Sequence, residues 1–293
     1  MSINKISLGT VQFGMRYGIH PLSQQVEFNE IKNILSYAHA KKIDLLDTAP
    51  SYGNSEQVLG KVTEDRFKIV TKTRHFESLE ISISDSNKVK EDFIQSLDKL
   101  NQKKVYGILI HNANDLLKPG SKKLFNKLEE LKLEKKVLKI GVSIYDHRQL
   151  QSIIENYDID IVQLPFNIID KRLIDTGILL RLKSKNIEVH ARSIFLQGLL
   201  LMSKEQRSEK FKSWNILWDI WHEWLNDNKI TALEAAIRYV ISVQEVSKVL
   251  VGVYSTKQLK EIVKAADGIL PNIPPEITTS DVNLLNPSNW NKL

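Results

Sequence analysis

The chain has 293 residues, 42% hydrophobic and 26% charged, with a net charge of +6 from 41 basic and 35 acidic residues. This length suits one α/β barrel, and the apolar share suits a large core beneath a polar surface. The basic residues are spread along the chain, which speaks against nucleic acid as a partner; the absence of cysteine excludes disulfides and thiolate chemistry; and no apolar run approaches the ~20 residues of a membrane span.

In chain order, Met1-Ser2-Ile3-Asn4-Lys5 carries no apolar h-region, so the expected compartment is the cytoplasm, with no membrane partner. Two kinds of segment then alternate. Short β-rich runs stand at Ile6–Leu8, Ile43–Asp47, Phe67–Lys72, Val105–His111, Lys139–Ser143, Ile161–Leu164, Ile187–Ser193 and Val249–Gly252. Helical patterns stand at Val26–Lys41, Asn54–Val62, Asn87–Asn101, Ser121–Lys135, His147–Asn156, Lys171–Lys185, Lys204–Asn228, Ala232–Ser242 and Thr256–Ala266. Their apolar residues recur at the helical period, as in Ile31, Ile34, Leu35 and Ala38. Strand–helix alternation with short apolar strands predicts a parallel sheet covered by helices, and eight such units predict an α/β fold of the (β/α)8 TIM-barrel kind. A doubly wound sheet would want a G-x-G-x-x-G turn after the first strand, and Gly9-Thr10-Val11-Gln12-Phe13-Gly14 lacks that spacing. No Pro/Gly/Ser-rich linker divides the chain, so residues 1–293 read as one domain, with an irregular tail from about residue 269 where Pro271, Pro274, Pro275 and Pro287 forbid a long helix. Trp214, Trp218, Trp221 and Trp224 line one face of the long helical pattern, which reads as packing on the barrel ahead of a substrate lid or dimer surface.

Polar residues stand at the ends of consecutive apolar runs: Asp47 after Leu45-Leu46, Tyr52 in the loop beyond, Lys72 after Ile69-Val70-Thr71, and His111 after Ile108-Leu109-Ile110. Singly, each has an ordinary explanation: a cap, a packed aromatic, a solvated strand end, a structural hydrogen-bonder. In a barrel all four face one mouth, and four coincidences there are less economical than one active site.

With these four, several motifs follow in order: Leu8-Gly9-Thr10-Val11-Gln12-Phe13-Gly14; Asp47-Thr48-Ala49-Pro50-Ser51-Tyr52-Gly53 with Ser55-Glu56 and Leu59-Gly60; Thr71-Lys72-Thr73; His111-Asn112; Gly141-Val142-Ser143; and Val162-Gln163. Together they resemble the aldo-keto reductase family across nearly the whole chain. The resemblance implies a barrel that binds a nicotinamide cofactor in an extended pose and reduces a small-molecule aldehyde or ketone. Tyr52 would be the general acid, Lys72 would lower its pKa, Asp47 would hold Lys72 charged, and His111 would orient the carbonyl. Cofactor contacts would come from Gly9, Thr10 and Asp47; from Ser143 and Gln163 at the carboxamide; from Arg192, Ser193, Phe195, Gln197 and Gly198 along the ring and pyrophosphate; and from Gly252, Ser255 and Gln258 near the adenosine.

This chain also departs from the family's pattern. Ile144 follows Ser143 where many members have Asn, leaving Asn167 as a candidate replacement or a substrate contact. Arg192 stands where many members stack an aromatic on the nicotinamide; it either stacks its guanidinium there, favouring the reduced cofactor, or pairs with a loop carboxylate. Ser255 either faces an anion or simply caps a helix. No arginine stands in Val251–Glu261 to clamp a 2′-phosphate, although Lys257 and Lys260 are near; NADP(H) is the family-based expectation, with NAD(H) left open. The Arg192–Leu200 stretch resembles members linked to bacterial surface sugars, which implies a keto-sugar or sugar-nucleotide substrate. Two other readings stand beside the reductase: a cofactor-binding regulatory subunit with little turnover, and a barrel aldolase or isomerase using Lys72 as a Schiff base, which Asp47 would oppose. The scattered histidines give no metal site, and a homo-oligomer is left open.

Overall fold

Strands β1 (Ile6–Gly9), β2 (Leu45–Asp47), β3 (Lys68–Lys72), β4 (Val105–Ile110), β5 (Val137–Ser143), β6 (Ile161–Pro165), β7 (Glu188–Arg192) and β8 (Val246–Gly252) follow the eight apolar runs closely. In the computed structural model, which describes residues 3–19 and 24–293, they pair in parallel in sequence order and close on themselves. Closure is made by β1 on β8, with Ile6 opposite Val249 and Gly9 opposite Gly252. Met1 and Ser2, part of the segment read for an export signal, lie outside the described residues.

The alternation of side chains along each strand builds the floor of the barrel mouth. Leu45, Val70, Leu109, Ile161 and Leu250 are buried and form an apolar cluster of their own, separate from the larger core that joins strands to helices. Two residues further along each of those strands stand Asp47, Lys72, His111, Gln163 and Gly252. A period of two therefore carries an apolar plug directly into a ring of polar groups at the carboxyl ends of the strands.

The helices match their expected positions with three exceptions. The helix expected from Asn87 starts earlier, at Ile83, because Ser82 and Asp85 form a reciprocal capping box. The stretch 171–185 is two short helices, Arg172–Asp175 and Ile178–Ser184, broken at Gly177, whose φ of +66° ends the first. The long pattern from Lys204 is a true helix only over Asn215–Asp227, after a 3-10 segment at Glu209–Trp214. Trp218, Trp221 and Trp224 are buried, so the stripe packs as core. Their indoles donate to the carbonyls of Phe211, Leu200 and Asn272, and Trp214 donates to Asp281. The last two of those partners lie in the proline-rich tail, which has only short turns and buries Ile277, Leu284, Leu285 and Trp290. Trp290 meets Phe211 edge-on at 5.0 Å between ring centroids. Among the described residues no helix is long and apolar enough to cross a membrane.

Gly60 shows how closely the helix after Tyr52 is held. It lies inside helix Ser55–Val62, where glycine ordinarily costs about 0.5–1 kcal/mol relative to alanine. A Cβ there would sit 2.1 Å from the Lys99 carbonyl oxygen and 2.8 Å from the Leu100 carbonyl carbon. Gly60→Ala is therefore expected to destabilise the fold by about 1–3 kcal/mol in urea denaturation. A gain in stability would contradict the close approach.

Candidate active site

The centre of the mouth is a buried ion pair. The Lys72 side chain is 0% exposed and that of Asp47 6%. The Lys72 ammonium donates to both Asp47 carboxylate oxygens at 2.8 Å and to the Thr48 carbonyl at 2.9 Å, which occupies its three protons. Asp47 Oδ1 also accepts from the Gln163 amide at 2.7 Å, and Gln163 Oε1 accepts from Ser143 Oγ at 3.4 Å. Burial alone would lower the Lys72 pKa, but Asp47 and Tyr52 more than reverse this, and the ammonium titrates above its ordinary range.

Tyr52 stands beside this pair, with Lys72 Nζ 4.8 Å from its ring centroid. Lys72 does pull the phenol pKa down, by its charge and by a hydrogen bond, but burial outweighs it. Burial raises it, Lys72 opposes the rise, and Asp47 adds to it; the balance lies above the usual tyrosine value. The physical reason is that withdrawing the phenol from water disfavours the phenolate more than Lys72, itself paired with Asp47, favours it. The phenol faces a closed pair, and it stays protonated through the neutral range.

His111 packs edge-on to Tyr52 at 6.1 Å and lies 4.5 Å from the His75 ring. Its Nδ1 is buried without a hydrogen-bond partner. Burial, then the charge of Lys72, then His75 and Arg192 push its pKa down to about 3, so the imidazole is neutral. The unfolded chain binds a proton near pH 6.5 that the folded His111 refuses. Its contribution to stability is thus full above about pH 6.5 and is lost as pH falls towards 3. Thermal melts at pH 7.5 and 5 are expected to show a larger drop for wild type than for His111→Gln; equal drops would contradict a neutral buried imidazole.

Above these groups opens a cavity of about 890 Å³. Its wall includes Asp47, Tyr52 and His111, while Lys72 sits behind it. Of the residues expected to touch a cofactor, Gly9, Thr10, Ser143, Gln163 and Arg192 line it at the strand ends. Ser193, Phe195, Gln197 and Gly198 line it from the loop after β7, Gly252 from the end of β8 and Gln258 from the helix beyond it. That β7 loop holds Ser193, Leu196, Gln197 and Gly198 at positive φ, a costly run for three non-glycine residues and of the kind concentrated at ligand sites.

Three expectations meet a different outcome. Ser255 does not line the cavity: its hydroxyl accepts from the Gln258 N–H and caps helix Thr256–Ala265. Asn167 is buried outside the cavity lining, its Oδ1 accepting from the Ile169 N–H, so it does not replace the asparagine missing after Ser143. Arg192 shows no carboxylate partner among the described residues. It donates to the Ile144 carbonyl at 2.9 Å and lies 4.1 Å from the Tyr145 ring centroid. The guanidinium thus already stacks on an aromatic of its own chain.

The lining also contains residues that the sequence did not single out: Gln12, Tyr17, Tyr145, Glu30 and Glu261. Gln12 and Glu261 carried a signal, since they lie within the opening loop Leu8–Gly14 and the stretch Val251–Glu261. The Glu30 carboxylate accepts from the Thr256 N–H, a contact across 226 residues of sequence that no local pattern announces.

The sequence profile of the Aldo/keto reductase family matches residues 5–272. Among solved structures, the aldo-keto reductase AKR11C1 from Bacillus halodurans superposes with a TM-score of 0.72 at 20% identity, over 92% of this chain and 88% of that one. The glycerol dehydrogenase AKR11B4 from Gluconobacter oxydans does so with a TM-score of 0.70 at 20% identity, over the same shares, 92% and 88%. A search of curated protein sequences gave no match. With its profile match spanning most of its length, the chain belongs to the aldo/keto reductase family.

Proposed function

We propose that this protein reduces an aldehyde or ketone to an alcohol with a nicotinamide dinucleotide, Tyr52 giving the proton. The observation that carries this reading is the placement of a protonated phenol on the cavity wall against a sealed Lys72–Asp47 pair. The dinucleotide, when bound, supplies a hydride to the carbonyl carbon. The cavity suits such a molecule: it has about 890 Å³ of space, and Gly252 faces Gln12, whose side-chain nitrogen would lie 2.3 Å from a Cβ added at Gly252. Gln12 Oε1 is buried there without a partner. The residues that would hold the dinucleotide are Gly9, Thr10, Asp47, Ser143, Gln163, Arg192, Ser193, Phe195, Gln197, Gly198, Gly252 and Gln258.

The chain's own part is proton supply and orientation. As negative charge grows on the carbonyl oxygen, that oxygen becomes far more basic than a phenolate, and the Tyr52 proton moves to it. The phenolate left behind faces the Lys72 ammonium, which Asp47, Thr48 and Gln163 hold in place without reorganisation. Neutral His111 keeps one ring nitrogen available to donate to the same oxygen. Polar groups at this end, Arg192, His111 and Tyr145, suit a hydroxylated carbonyl compound such as a keto-sugar better than a hydrocarbon. Lys72 as a Schiff-base nucleophile fits poorly: its amine is fully buried, triply bonded and charged.

The test is oxidation of the reduced dinucleotide, followed by its absorbance, with a panel of aldehydes, ketones and keto-sugars. Turnover with at least one carbonyl supports the reading. Tight dinucleotide binding with no turnover across the panel would favour a regulatory subunit instead.

A further inference from the structure

The part of the cavity wall that follows β1 and β8 carries an unusual charge. Any dinucleotide that brings its nicotinamide to Tyr52 must extend its other half away from the barrel axis. That wall includes Gln258 and Glu261 of helix Thr256–Ala265 and Glu27 and Glu30 at the start of helix Phe28–Ala40, beside neutral residues such as Gln25, Val26 and Tyr254. Arg192 is the one lysine or arginine among the described lining residues, and its contacts with Ile144 and Tyr145 place it at the reacting end.

A helix start normally offers free N–H groups to a phosphate. Here the Thr256 N–H is taken by the Glu30 carboxylate and the Gln258 N–H by Ser255 Oγ. Neither Lys257 nor Lys260 lines the cavity, and the Lys260 ammonium lies over the Tyr37 ring at 5.6 Å. The bond from Thr256 holds Glu30 below the usual carboxylate range, so it is ionised. A 2′-phosphate would enter among Glu27, Glu30 and Glu261 with the Thr256 and Gln258 N–H groups already engaged. A free ribose diol would instead donate to a carboxylate, the arrangement by which acidic residues recognise the unphosphorylated dinucleotide.

We infer that this cavity selects NAD(H) over NADP(H), against the family-based expectation, and that Glu30, seated on the helix start at Thr256, is the specificity-determining residue. The inference rests on reading the cavity as a dinucleotide site. It is tested by titrating the full chain with NADH and NADPH, following nicotinamide fluorescence, in wild type and Glu30→Gln. Wild type is expected to bind NADH at least about tenfold more tightly than NADPH, about 1.4 kcal/mol. Glu30→Gln keeps an acceptor for the Thr256 N–H and is expected to reduce that ratio severalfold, mainly by tightening NADPH. A second measurement needs no variant: ADP should displace NADH from wild type at lower concentration than ADP bearing a 2′-phosphate. Equal or tighter binding of the phosphorylated ligands by wild type overturns the inference and leaves the dinucleotide reading standing. A wild-type preference that Glu30→Gln leaves unchanged removes Glu30 as its cause. Failure of both NADH and NADPH to bind overturns the dinucleotide reading itself.

Discussion

Tyr52→Phe is expected to lower kcat by about 10²–10⁴-fold while changing dinucleotide affinity by no more than about threefold. The substitution removes one hydroxyl and keeps the ring that packs edge-on against His111. The hydroxyl matters only once charge develops on the substrate oxygen, so its loss belongs to the transition state and leaves ground-state binding nearly intact. Since burial keeps the phenol protonated above its ordinary range, the wild-type rate of reduction is expected to stay flat across neutral pH and to fall only in alkali, as the phenol ionises. Stopped-flow oxidation of the bound cofactor reads both effects. A Tyr52→Phe variant that turns over at the wild-type rate would take the proton donor away from this residue.

The second large effect concerns the pair behind the tyrosine. Lys72→Met strands the Asp47 carboxylate in a buried site, where an unpaired charge costs about 3–5 kcal/mol. Asp47→Asn costs a similar amount for the opposite reason, leaving the ammonium without its counter-charge. Asp47→Asn/Lys72→Met, which removes both charges, should recover much of the lost stability, so the two single effects will not add. Activity should not recover: the double variant has no cation to face the phenolate, and kcat is expected to stay at least about 10²-fold down. Denaturant titration and steady-state kinetics on the three variants separate the two quantities. Recovery of activity along with stability would show that the pair serves the fold alone.

How much of this was readable beforehand depends on the range of the interactions. The eight strands were legible because each is a short apolar run, several of them ended by a polar residue that a period of two sends to the mouth. The same rule placed Asp47, Lys72 and His111 together without any knowledge of pairing. What was not legible arises between segments far apart in sequence. The seat of Glu30 on Thr256 exists only because β8 closes on β1 and brings helix Phe28–Ala40 against helix Thr256–Ala265. Arg192, at the end of β7, met Tyr145, just after β5, because barrel closure brings the ends of strands on either side of β6 to one mouth. The net direction of the Tyr52 pKa was not legible because the sequence shows which charges are near but not how far the phenol is withdrawn from water. Positive φ at Ser193, Leu196 and Gln197 carries no signature in residues that usually avoid it. The break at Gly177 and the short start of the tryptophan helix were hidden by apolar spacing that continued across both.

The most direct test of the central claim is a titration of the pure protein with reduced nicotinamide dinucleotide, read by energy transfer from tryptophan to the nicotinamide and followed by addition of a carbonyl substrate. Saturable transfer that decays as the carbonyl is reduced, and persists in Tyr52→Phe, is the predicted result. No saturable signal with either NADH or NADPH would contradict the assignment of the cavity and, with it, the chemistry derived from Tyr52, Lys72, Asp47 and His111.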